Sequence, residues 1–355
     1  MAERRPTHRG AISNPAGRYE PLHRETGDDG WWQDDDLPPL RTSITTDTSR
    51  SVIARNDSPD ISFDQSINPY RGCEHGCIYC FARPSHAYFG LSSGLDFETR
   101  LFAKPDAPRL LEQELRHKTY RCRVIAIGTN TDAYQPIERQ LGIMRGVLQV
   151  LADYRHPVCI TTKSALVARD IDLLAPMAAQ GLASVAVSIT TLDRELARKL
   201  EPRAAVPAKR LEAVARLTGA GIPTGVMVAP LIPALTDHEM EPILAAAAER
   251  GAKGADWTLL RLPFELKNLF EQWLACHTPD RRAHVLSLLR QARQGKLNDS
   301  TFGRRFTGSG PLADLFARRF ALAARRLGLQ TSAVFPLRTD LFTLPPRPGD
   351  QLALF

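Results

Sequence analysis

Three cysteines that lie close together between Asn68 and Arg83 constrain this chain more than any other feature of its sequence. Cys73, Cys77 and Cys80 are spaced C-x3-C-x2-C within this stretch of 16 residues. Thiolates on one short loop are soft ligands, and soft ligands select zinc or an iron–sulfur cluster. A structural zinc site usually takes four ligands from paired cysteine motifs, and no second pair follows in the sequence. The spacing therefore favours a four-iron cluster with one iron open to a reactant.

A disulfide and a zinc site are the alternatives to a cluster. Cys122, Cys159 and Cys276 are scattered and no secretory signal is present, so a reducing compartment is expected and disulfides are disfavoured. We expect these three cysteines to behave as small buried hydrophobic side chains. Zinc would need His75 or His86 as its fourth ligand, and C-x3-C is a poor spacing for zinc.

At this motif the chain resembles the radical S-adenosylmethionine (SAM) superfamily, whose signature is C-x3-C-x-aromatic-C. Tyr79 fills the aromatic position. The resemblance implies that Cys73, Cys77 and Cys80 hold a [4Fe–4S] cluster and that SAM binds the fourth iron. It also implies that one electron, from a reductant such as flavodoxin or ferredoxin, splits SAM into methionine and a 5′-deoxyadenosyl radical. The cofactors supply this chemistry, whereas the protein supplies geometry and excludes water.

Downstream of the cysteines, short apolar runs alternate with amphipathic stretches. The predicted strands are Arg123–Ile127, Val158–Thr162, Ser184–Ile189, Thr224–Val228 and Trp257–Leu260. The predicted helices are Ile137–Tyr154, Ala165–Gln180, Ala208–Gly219 and Thr236–Arg250. This alternation indicates an α/β fold with a parallel sheet covered by helices. With one more strand just before Cys73 there are about six β/α units, too few for a closed barrel of eight. This number matches the partial (β/α)6 TIM-type barrel that the radical SAM resemblance implies.

Composition divides the chain into four parts. Residues 1–45 are rich in Arg, Pro, Gly and Asp without a sustained period, and are predicted to be largely disordered. Residues 46–265 are predicted to form the partial barrel, residues 266–340 a basic helical region, and residues 341–355 an extended tail. No apolar run is long enough for a membrane span and the N-terminus lacks a signal-peptide core. We therefore expect a cytoplasmic protein with no membrane partner.

A longer resemblance is to the DNA repair photolyase-like branch of the superfamily, which is related to spore photoproduct lyase. It is carried by Asn68–Arg83, Gly90–Glu98, Gly128–Glu138, Thr161–Ser164, Arg169–Leu174, Ser188–Leu192, Glu201–Arg203 and Ala229–Pro233. Two places depart from the lyase pattern. Thr129 and Asn130 stand where the lyase has a cysteine that returns a hydrogen atom to the product, and Phe81 stands where it has a tyrosine. The lyase's radical-quenching route is therefore absent at these positions.

The same resemblance implies a set of SAM contacts. Several of them lie on polar loops after predicted strands, where barrels of this type carry their functional groups. The implied contacts are Thr131 for the methionyl amine, Lys163 and Arg203 for the carboxylate, Ser188 for the ribose, and Tyr79 with Val228–Ile232 for the adenine. No residue that acts directly on a substrate is identified by the sequence.

Positive charge is concentrated near the C-terminal end. The chain has a net charge of +7, and residues 266–330 carry 12 Lys and Arg against 4 Asp and Glu. A basic face beside the barrel is suited to nucleic-acid phosphates, although charge runs are usually ordinary solvated surfaces. The glycine-rich stretch Phe302–Gly310, with its interleaved aromatic residues, would either contact nucleic acid or position the last helix.

The last five residues resemble the short motif that binds the bacterial sliding clamp. Gln351, Leu352, Leu354 and Phe355 form the pattern, and Pro345–Gly349 forms a linker rich in helix breakers before it. In that motif the apolar side chains enter a pocket and the glutamine binds at its edge. A tail folded back onto its own domain is the alternative.

The leading hypothesis from the sequence is a radical SAM enzyme that acts on nucleic acid, most simply in DNA repair. One alternative is a radical SAM enzyme that modifies RNA, protein or a small metabolite. Another is a non-catalytic iron–sulfur protein that binds DNA or the clamp.

Overall fold

Six parallel strands follow one another in chain order across the main sheet of the protein. The structure is a computed structural model, and it describes residues 8–20 and 40–346. Its strands are β1 (Ser43–Thr46), β2 (Ile53–Arg55), β3 (Gln65–Ile67), β4 (Tyr70–Arg71), β5 (Arg100–Ala103), β6 (Ile125–Ile127), β7 (Val158–Thr162), β8 (Ala183–Ser188), β9 (Thr224–Leu231) and β10 (Gly254–Leu259). The main sheet has the order β10-β9-β8-β7-β6-β3-β2, and only β2 runs antiparallel to its neighbour. The predicted α/β architecture is confirmed.

The inner strands of this sheet are buried because their sequences are continuously apolar or small. Every residue of β8 is buried. Ile160 of β7 lies beside Val185 of β8, and Val187 lies beside Val226 of β9. Strands covered on both faces have unbroken apolar runs instead of alternating patterns. This property made the strands recognisable in the sequence, and β7 has the bounds that were predicted for it.

Helices cover the sheet and extend beyond it at the C-terminal end. They are α1 (Asp96–Thr99), α2 (Ala107–Leu115), α3 (Glu138–Leu141), α4 (Ile143–Asp153), α5 (Ile171–Ala179), α6 (Arg194–Leu200), α7 (Pro207–Gly219), α8 (Met240–Ala248), α9 (Leu266–His277), α10 (Pro279–Gln291) and α11 (Pro311–Arg326). In α4 the buried side chains include Ile143, Val147 and Leu151, which recur every fourth residue along one face. No helix in the described part of the chain is long and apolar enough to cross a membrane.

Three predicted helices are interrupted or shortened. The stretch predicted as one helix over 137–154 divides into α3 and α4 at Gly142, whose φ of +62° is left-handed. The predicted helix over 165–180 begins as a 3-10 helix, Ala165–Asp170. The side chain of Ser164 accepts from the backbone N–H of Leu166 and so caps this 3-10 helix. The third begins with the 3-10 turn Asp237–Glu239 before α8. Hydrophobic periodicity does not distinguish these tight turns from a continuous helix.

A second, smaller sheet leads directly into the cysteines. Its order is β1-β5-β4, with β1 parallel and β4 antiparallel to β5. Tyr70 of β4 is buried, and its hydroxyl donates to Oε2 of Glu138 at 2.5 Å. Glu138 in turn accepts from the side chain of Arg169 at 2.8 Å. The start of the cysteine loop is therefore fixed to both the small sheet and α3.

Part of the N-terminal segment packs on the same region. Gly10 and Ala11 donate their backbone N–H groups to the carboxylate of Glu98, at 2.9 and 2.8 Å. A Cβ at Gly10 would lie 1.8 Å from the carbonyl oxygen of Gly76, so only glycine permits this approach. Residues 8–20 thus differ from the largely disordered segment predicted for 1–45, because buried acceptors on the folded domain satisfy their backbone donors.

The predicted basic region contains α9, α10 and α11, and several of its arginines are used within the fold. Arg319 of α11 binds Glu241 of α8 at 2.7 Å. Arg293 is buried and donates to the carbonyls of Leu259 and Leu260 at 3.1 and 2.8 Å. The surface charge available to a partner is therefore smaller than the residue count indicated.

The beginning of the predicted tail packs on the domain. The backbone N–H of Thr343 donates to the carbonyl of Tyr154 at 3.1 Å, and the ring of Phe342 lies 5.5 Å from that of His156. The tail predicted over 341–355 is therefore anchored at its start. The proposed clamp motif, residues 351–355, lies outside the described residues.

Candidate active site

The cysteine loop follows β4 and turns tightly over residues 72–80. Gly76 has a φ of +67°, and a Cβ at this position would lie 2.7 Å from Oε2 of Glu98. The carbonyl of Cys73 accepts from the N–H of Gly76 at 3.3 Å, and that of Cys77 accepts from the N–H of Cys80 at 3.2 Å. All three cysteines line one cavity as a result.

The side chain of Arg83 fixes this loop through hydrogen bonds to its backbone carbonyls. Its guanidinium donates to the carbonyls of Cys77, Gly76 and Gly94 at 2.8, 3.0 and 2.9 Å. It also pairs with Oε1 of Glu98 at 2.5 Å, and both side chains are completely buried. Arg83 and Glu98 lie within the stretches that carry the family resemblance, but no local pattern in the sequence indicates that they form a pair.

The cavity has a volume of about 240 Å³ and lies at the carboxyl ends of the parallel strands. It is lined by four of the five side chains predicted to contact SAM, namely Tyr79, Thr131, Lys163 and Ser188. The segment predicted to flank the adenine contributes Ala229 and Pro230 to the lining. Residues from the cysteine loop and the ends of four strands therefore face one space, as parallel topology predicts.

Arg203, the fifth predicted contact, does not line this cavity. Its Nη1 lies 3.1 Å from Oε1 of Glu74, and its backbone N–H donates to the carbonyl of His75 at 3.2 Å. Glu74 also accepts from the hydroxyl of Thr42 at 2.6 Å. Arg203 therefore braces the cysteine loop in the structure, because the adjacent carboxylate holds its guanidinium.

A buried carboxylate lies beside the predicted SAM-binding lysine. Asp132 accepts from the hydroxyl of Thr162 at 2.8 Å and from the backbone N–H of Lys163 at 2.7 Å, and it lies 3.4 Å from Nδ1 of His75. Burial alone would raise the pKa of Asp132, but His75 and these donors outweigh burial and lower the pKa to about 2. The carboxylate is therefore ionised and fixes the backbone at the end of β7.

Lys163 reaches across the cavity. Its Nζ donates to the carbonyl of Ala229 at 3.3 Å and lies 5.7 Å from the centre of the Tyr79 ring. Burial lowers the pKa of Lys163, whereas Cys77 and Cys80 in their thiolate form raise it. The ammonium group is thus held by one carbonyl and one ring face, which leaves it donors for an anionic ligand.

Tyr79 is fixed by a buried polar network that the sequence did not reveal. Its hydroxyl donates to Glu201 and lies 3.0 Å from the hydroxyl of Thr190. Glu201 pairs with Arg210, which also donates to the carbonyl of Ser188 at 3.0 Å. The network joins the cysteine loop to the end of β8, so the ring of Tyr79 is held against the cavity.

The positions that depart from the lyase pattern also line the cavity. They are Thr129, Asn130 and Phe81. The side chain of Asn68 donates to the hydroxyl of Thr129 at 3.2 Å, and its Oδ1 accepts from the backbone N–H of Asn130 at 3.0 Å. Asn68 therefore fixes the positions of Thr129 and Asn130 at the cavity wall.

Comparisons with known proteins identify the family. The model of the radical SAM superfamily matches residues 67–247, about half of the chain. An uncharacterised protein of Mycobacterium tuberculosis is 38% identical over 233 residues, which cover 65% of this chain and 68% of that protein. The chain belongs to the radical SAM superfamily. A further relative, from Methanocaldococcus jannaschii, is 30% identical over 174 residues, which cover 49% of this chain and 62% of that protein.

Solved structures show the same fold. This radical SAM protein is similar to spore photoproduct lyase complexed with dinucleoside spore photoproduct, with a TM-score of 0.59 and 16% identity over 81% of this chain and 80% of that chain. A variant of that lyase with bound S-adenosylmethionine and dinucleoside spore photoproduct gives a TM-score of 0.59 at 16% identity, again over 81% of this chain and 80% of that one. The predicted partial barrel of radical SAM type is therefore confirmed.

The residues of the cavity fit the cofactors that membership of a radical SAM family implies. Burial raises the pKa of Cys73, Cys77 and Cys80, so bare thiolates there would be costly, whereas thiolates bound to iron are neutralised. Within residues 8–20 and 40–346, no three metal-ligating side chains are grouped tightly enough to hold one ion. Thiolates that each bind a different iron of a cluster do not need to meet at one point.

Proposed function

We propose that Cys73, Cys77 and Cys80 hold a [4Fe–4S] cluster and that this radical SAM enzyme acts on nucleic acid. The observation that carries the proposal is the single cavity that the three thiols share with Lys163, Thr131 and Ser188. When bound and reduced, the cluster supplies the electron that cleaves SAM to methionine and a 5′-deoxyadenosyl radical. Everything else in the reaction depends on how the chain binds and orients the two substrates.

Each predicted SAM contact has suitable chemistry. The ammonium of Lys163 suits the SAM carboxylate, and the hydroxyls of Thr131 and Ser188 suit its amine and ribose. The ring of Tyr79, together with Ala229 and Pro230, provides an apolar surface for the adenine. Tyr79, Thr131 and Ser188 are buried, and polar interactions with groups that are shielded from water are stronger than those in solvent.

Nucleic acid is the proposed substrate class for two reasons. The fold is shared with a lyase whose structures contain a dinucleoside spore photoproduct. The helical region next to the end of β10 is also basic, and those of its arginines that are not paired within the fold remain for phosphates. Thr129, Asn130 and Phe81 replace the lyase's radical-quenching groups, so we propose a different reaction on the bound nucleotide.

Product analysis tests this substrate class. DNA and RNA are incubated anaerobically with reduced, cluster-loaded protein and SAM, and the digested nucleosides are compared by mass spectrometry. The proposal predicts a modified nucleoside that is missing when SAM is omitted. Unchanged DNA and RNA, together with a modified protein or metabolite in a cell extract, would contradict the proposal and show that the substrate is a protein or a metabolite.

We further propose a flavodoxin- or ferredoxin-type reductant and a cytoplasmic location.

Replacement of Lys163 by alanine is expected to weaken SAM binding by about tenfold to a hundredfold, the usual effect of losing a charge-assisted hydrogen bond. Iron content should stay at the wild-type level, because Lys163 binds no iron. Equilibrium dialysis with radiolabelled SAM measures the affinity. Lys267→Ala, which removes an exposed lysine from α9, is the control. Equal SAM affinity in the Lys163 and Lys267 variants would remove Lys163 from the SAM site.

The clamp interaction also remains a proposal. A labelled peptide of residues 349–355 is expected to bind purified bacterial sliding clamp, and replacement of Leu354 and Phe355 by alanine should abolish binding because the two apolar side chains enter the pocket. Fluorescence anisotropy provides the measurement. No binding at high micromolar clamp, or equal binding by the doubly substituted peptide, would contradict the proposal.

A further inference from the structure

Aromatic rings and guanidinium groups alternate in a stack that extends from the cavity to the protein surface. Its members, in order, are Phe81, Arg261, Phe306, Arg305 and Phe302, and we call it the aromatic–arginine stack. The guanidinium carbon of Arg261 lies 5.3 Å from the centre of the Phe81 ring and 5.1 Å from that of Phe306. That of Arg305 lies 4.7 Å from Phe306 and 5.0 Å from Phe302. Phe81, Arg261 and Phe306 line the cavity. The two end rings are exposed, Phe81 by 49% at the mouth of the cavity and Phe302 by 57% farther out.

The two arginines of the stack differ in their hydrogen bonds. Arg305 donates to both carboxylate oxygens of Asp60, at 2.5 and 2.9 Å, and to the hydroxyl of Ser58 at 2.6 Å. Arg261 makes no hydrogen bond or ion pair with any residue in the described parts of the chain, and its Nε is shielded from solvent. A buried donor without an acceptor is costly, and natural proteins rarely leave one unpaired. Arg305 therefore holds the stack in place, whereas Arg261 has no acceptor among residues 8–20 and 40–346.

The geometry of Arg261 is suited to an anion. The rings of Phe81 and Phe306 both lie within 5.3 Å of the guanidinium carbon of Arg261, and rings can accept only its charge, whereas its N–H donors need oxygen or nitrogen acceptors. These donors match the oxygens of a phosphate or carboxylate in a bidentate arrangement. Burial and the nearby charge of Arg305 lower the pKa of Arg261, so a bound anion would relieve the cost of keeping the guanidinium charged.

Arg261 and Lys163 serve different parts of the cavity. Lys163 contacts the carbonyl of Ala229 and the ring of Tyr79. Arg261 lies beside the rings of Phe81 and Phe306 instead. If Lys163 binds the carboxylate of SAM, Arg261 remains for the second substrate.

We propose that Arg261 binds a phosphate group of a nucleic-acid substrate and so positions that substrate in the cavity. The inference rests on the proposed nucleic-acid function and extends it to one residue and one chemical group. Nucleic acid is favoured over an acidic peptide because exposed rings next to arginines are a typical surface for stacking bases. The exposed ring of Phe302 offers such a surface at the outer end of the stack.

The test uses cluster-loaded protein under anaerobic conditions and a fluorescein-labelled oligonucleotide of ten thymidines. Arg261→Gln should weaken binding about tenfold. The slope of the logarithm of the association constant against the logarithm of the salt concentration should fall by about one, the contribution of one phosphate contact. Arg261→Lys should lose less, because it keeps the charge but not the planar donors. Arg198→Gln, which removes an exposed arginine on α6, should change the affinity less than twofold. Circular dichroism and iron content verify that each variant is folded.

A second oligonucleotide with uncharged methylphosphonate linkages separates phosphate binding from general effects. The difference between the wild type and Arg261→Gln should disappear with this probe. An equal loss on both probes would show that Arg261 acts through the stack and would overturn the assignment. Wild-type affinity in Arg261→Gln would overturn the inference while leaving nucleic-acid binding intact. Failure of the wild type to bind the charged oligonucleotide would overturn the inference, whereas the product analysis of DNA and RNA decides the proposed function separately.

Discussion

Cys77→Ala is expected to abolish cluster binding, so that reconstituted protein falls from about four iron atoms per chain to nearly none. The reason is that all three thiols line one cavity, and the loop offers no fourth cysteine to replace a lost ligand. Cys73→Ala and Cys80→Ala should behave in the same way. Iron and sulfide analysis after anaerobic reconstitution measures the loss, and the visible absorbance of the cluster should disappear with it.

Cys159→Ala is the matched control for these variants. Cys159 belongs to β7 and is partly buried, but it does not contribute to the lining of the cavity. Its substitution should therefore leave the iron content unchanged. If Cys77→Ala retains a full cluster, or if Cys159→Ala loses it as readily, the assignment of the three ligands is wrong.

Glu98→Ala is expected to lower the free energy of unfolding by about 3–5 kcal/mol, the range found when one partner of a buried ion pair is removed. The substitution would leave the guanidinium of Arg83 charged and buried without its carboxylate. It would also remove the acceptor of the backbone N–H groups of Gly10 and Ala11. Urea unfolding of the cluster-free protein, followed by circular dichroism, gives the change without interference from cluster loss.

The exposed pair of Lys209 and Glu212 provides the comparison. Their side chains lie 2.6 Å apart on α7, but both are exposed to solvent. Glu212→Ala should therefore leave the urea midpoint essentially unchanged, because solvent screens such pairs. A Glu98→Ala protein that unfolds at the wild-type midpoint would show that the buried pair does not hold the cysteine loop.

The features that were predictable from the sequence are those with a local signal. The apolar run of β8 and the C-x3-C-x2-C spacing each lie within a few residues, so their structural consequence is visible without the fold. The shared position of Lys163 and Thr131 at one cavity was predictable because residues that follow parallel strands meet at one edge of the sheet, whereas their contacts with SAM stay predictions.

The features that were missed depend on contacts between distant residues. Glu98 meets Gly10 across 88 positions of the chain, and Tyr79 meets Glu201 across 122. The pairing of Arg203 with Glu74 beside the cysteine loop has no local signal, and its contact with the carboxylate of SAM stays a prediction. Arg261 belongs to no motif, and only the structure shows that its guanidinium lies beside the rings of Phe81 and Phe306. Tertiary packing decides all four cases.

Reductive cleavage of SAM is the most direct test of the central claim. Anaerobically reconstituted protein is reduced with dithionite and mixed with SAM, and 5′-deoxyadenosine and methionine are quantified by liquid chromatography. We predict that both products form in the wild type and in Cys159→Ala, and that neither forms in Cys77→Ala. Protein that carries a complete cluster yet yields no 5′-deoxyadenosine, or anaerobically purified protein that contains stoichiometric zinc and no iron, would contradict the account.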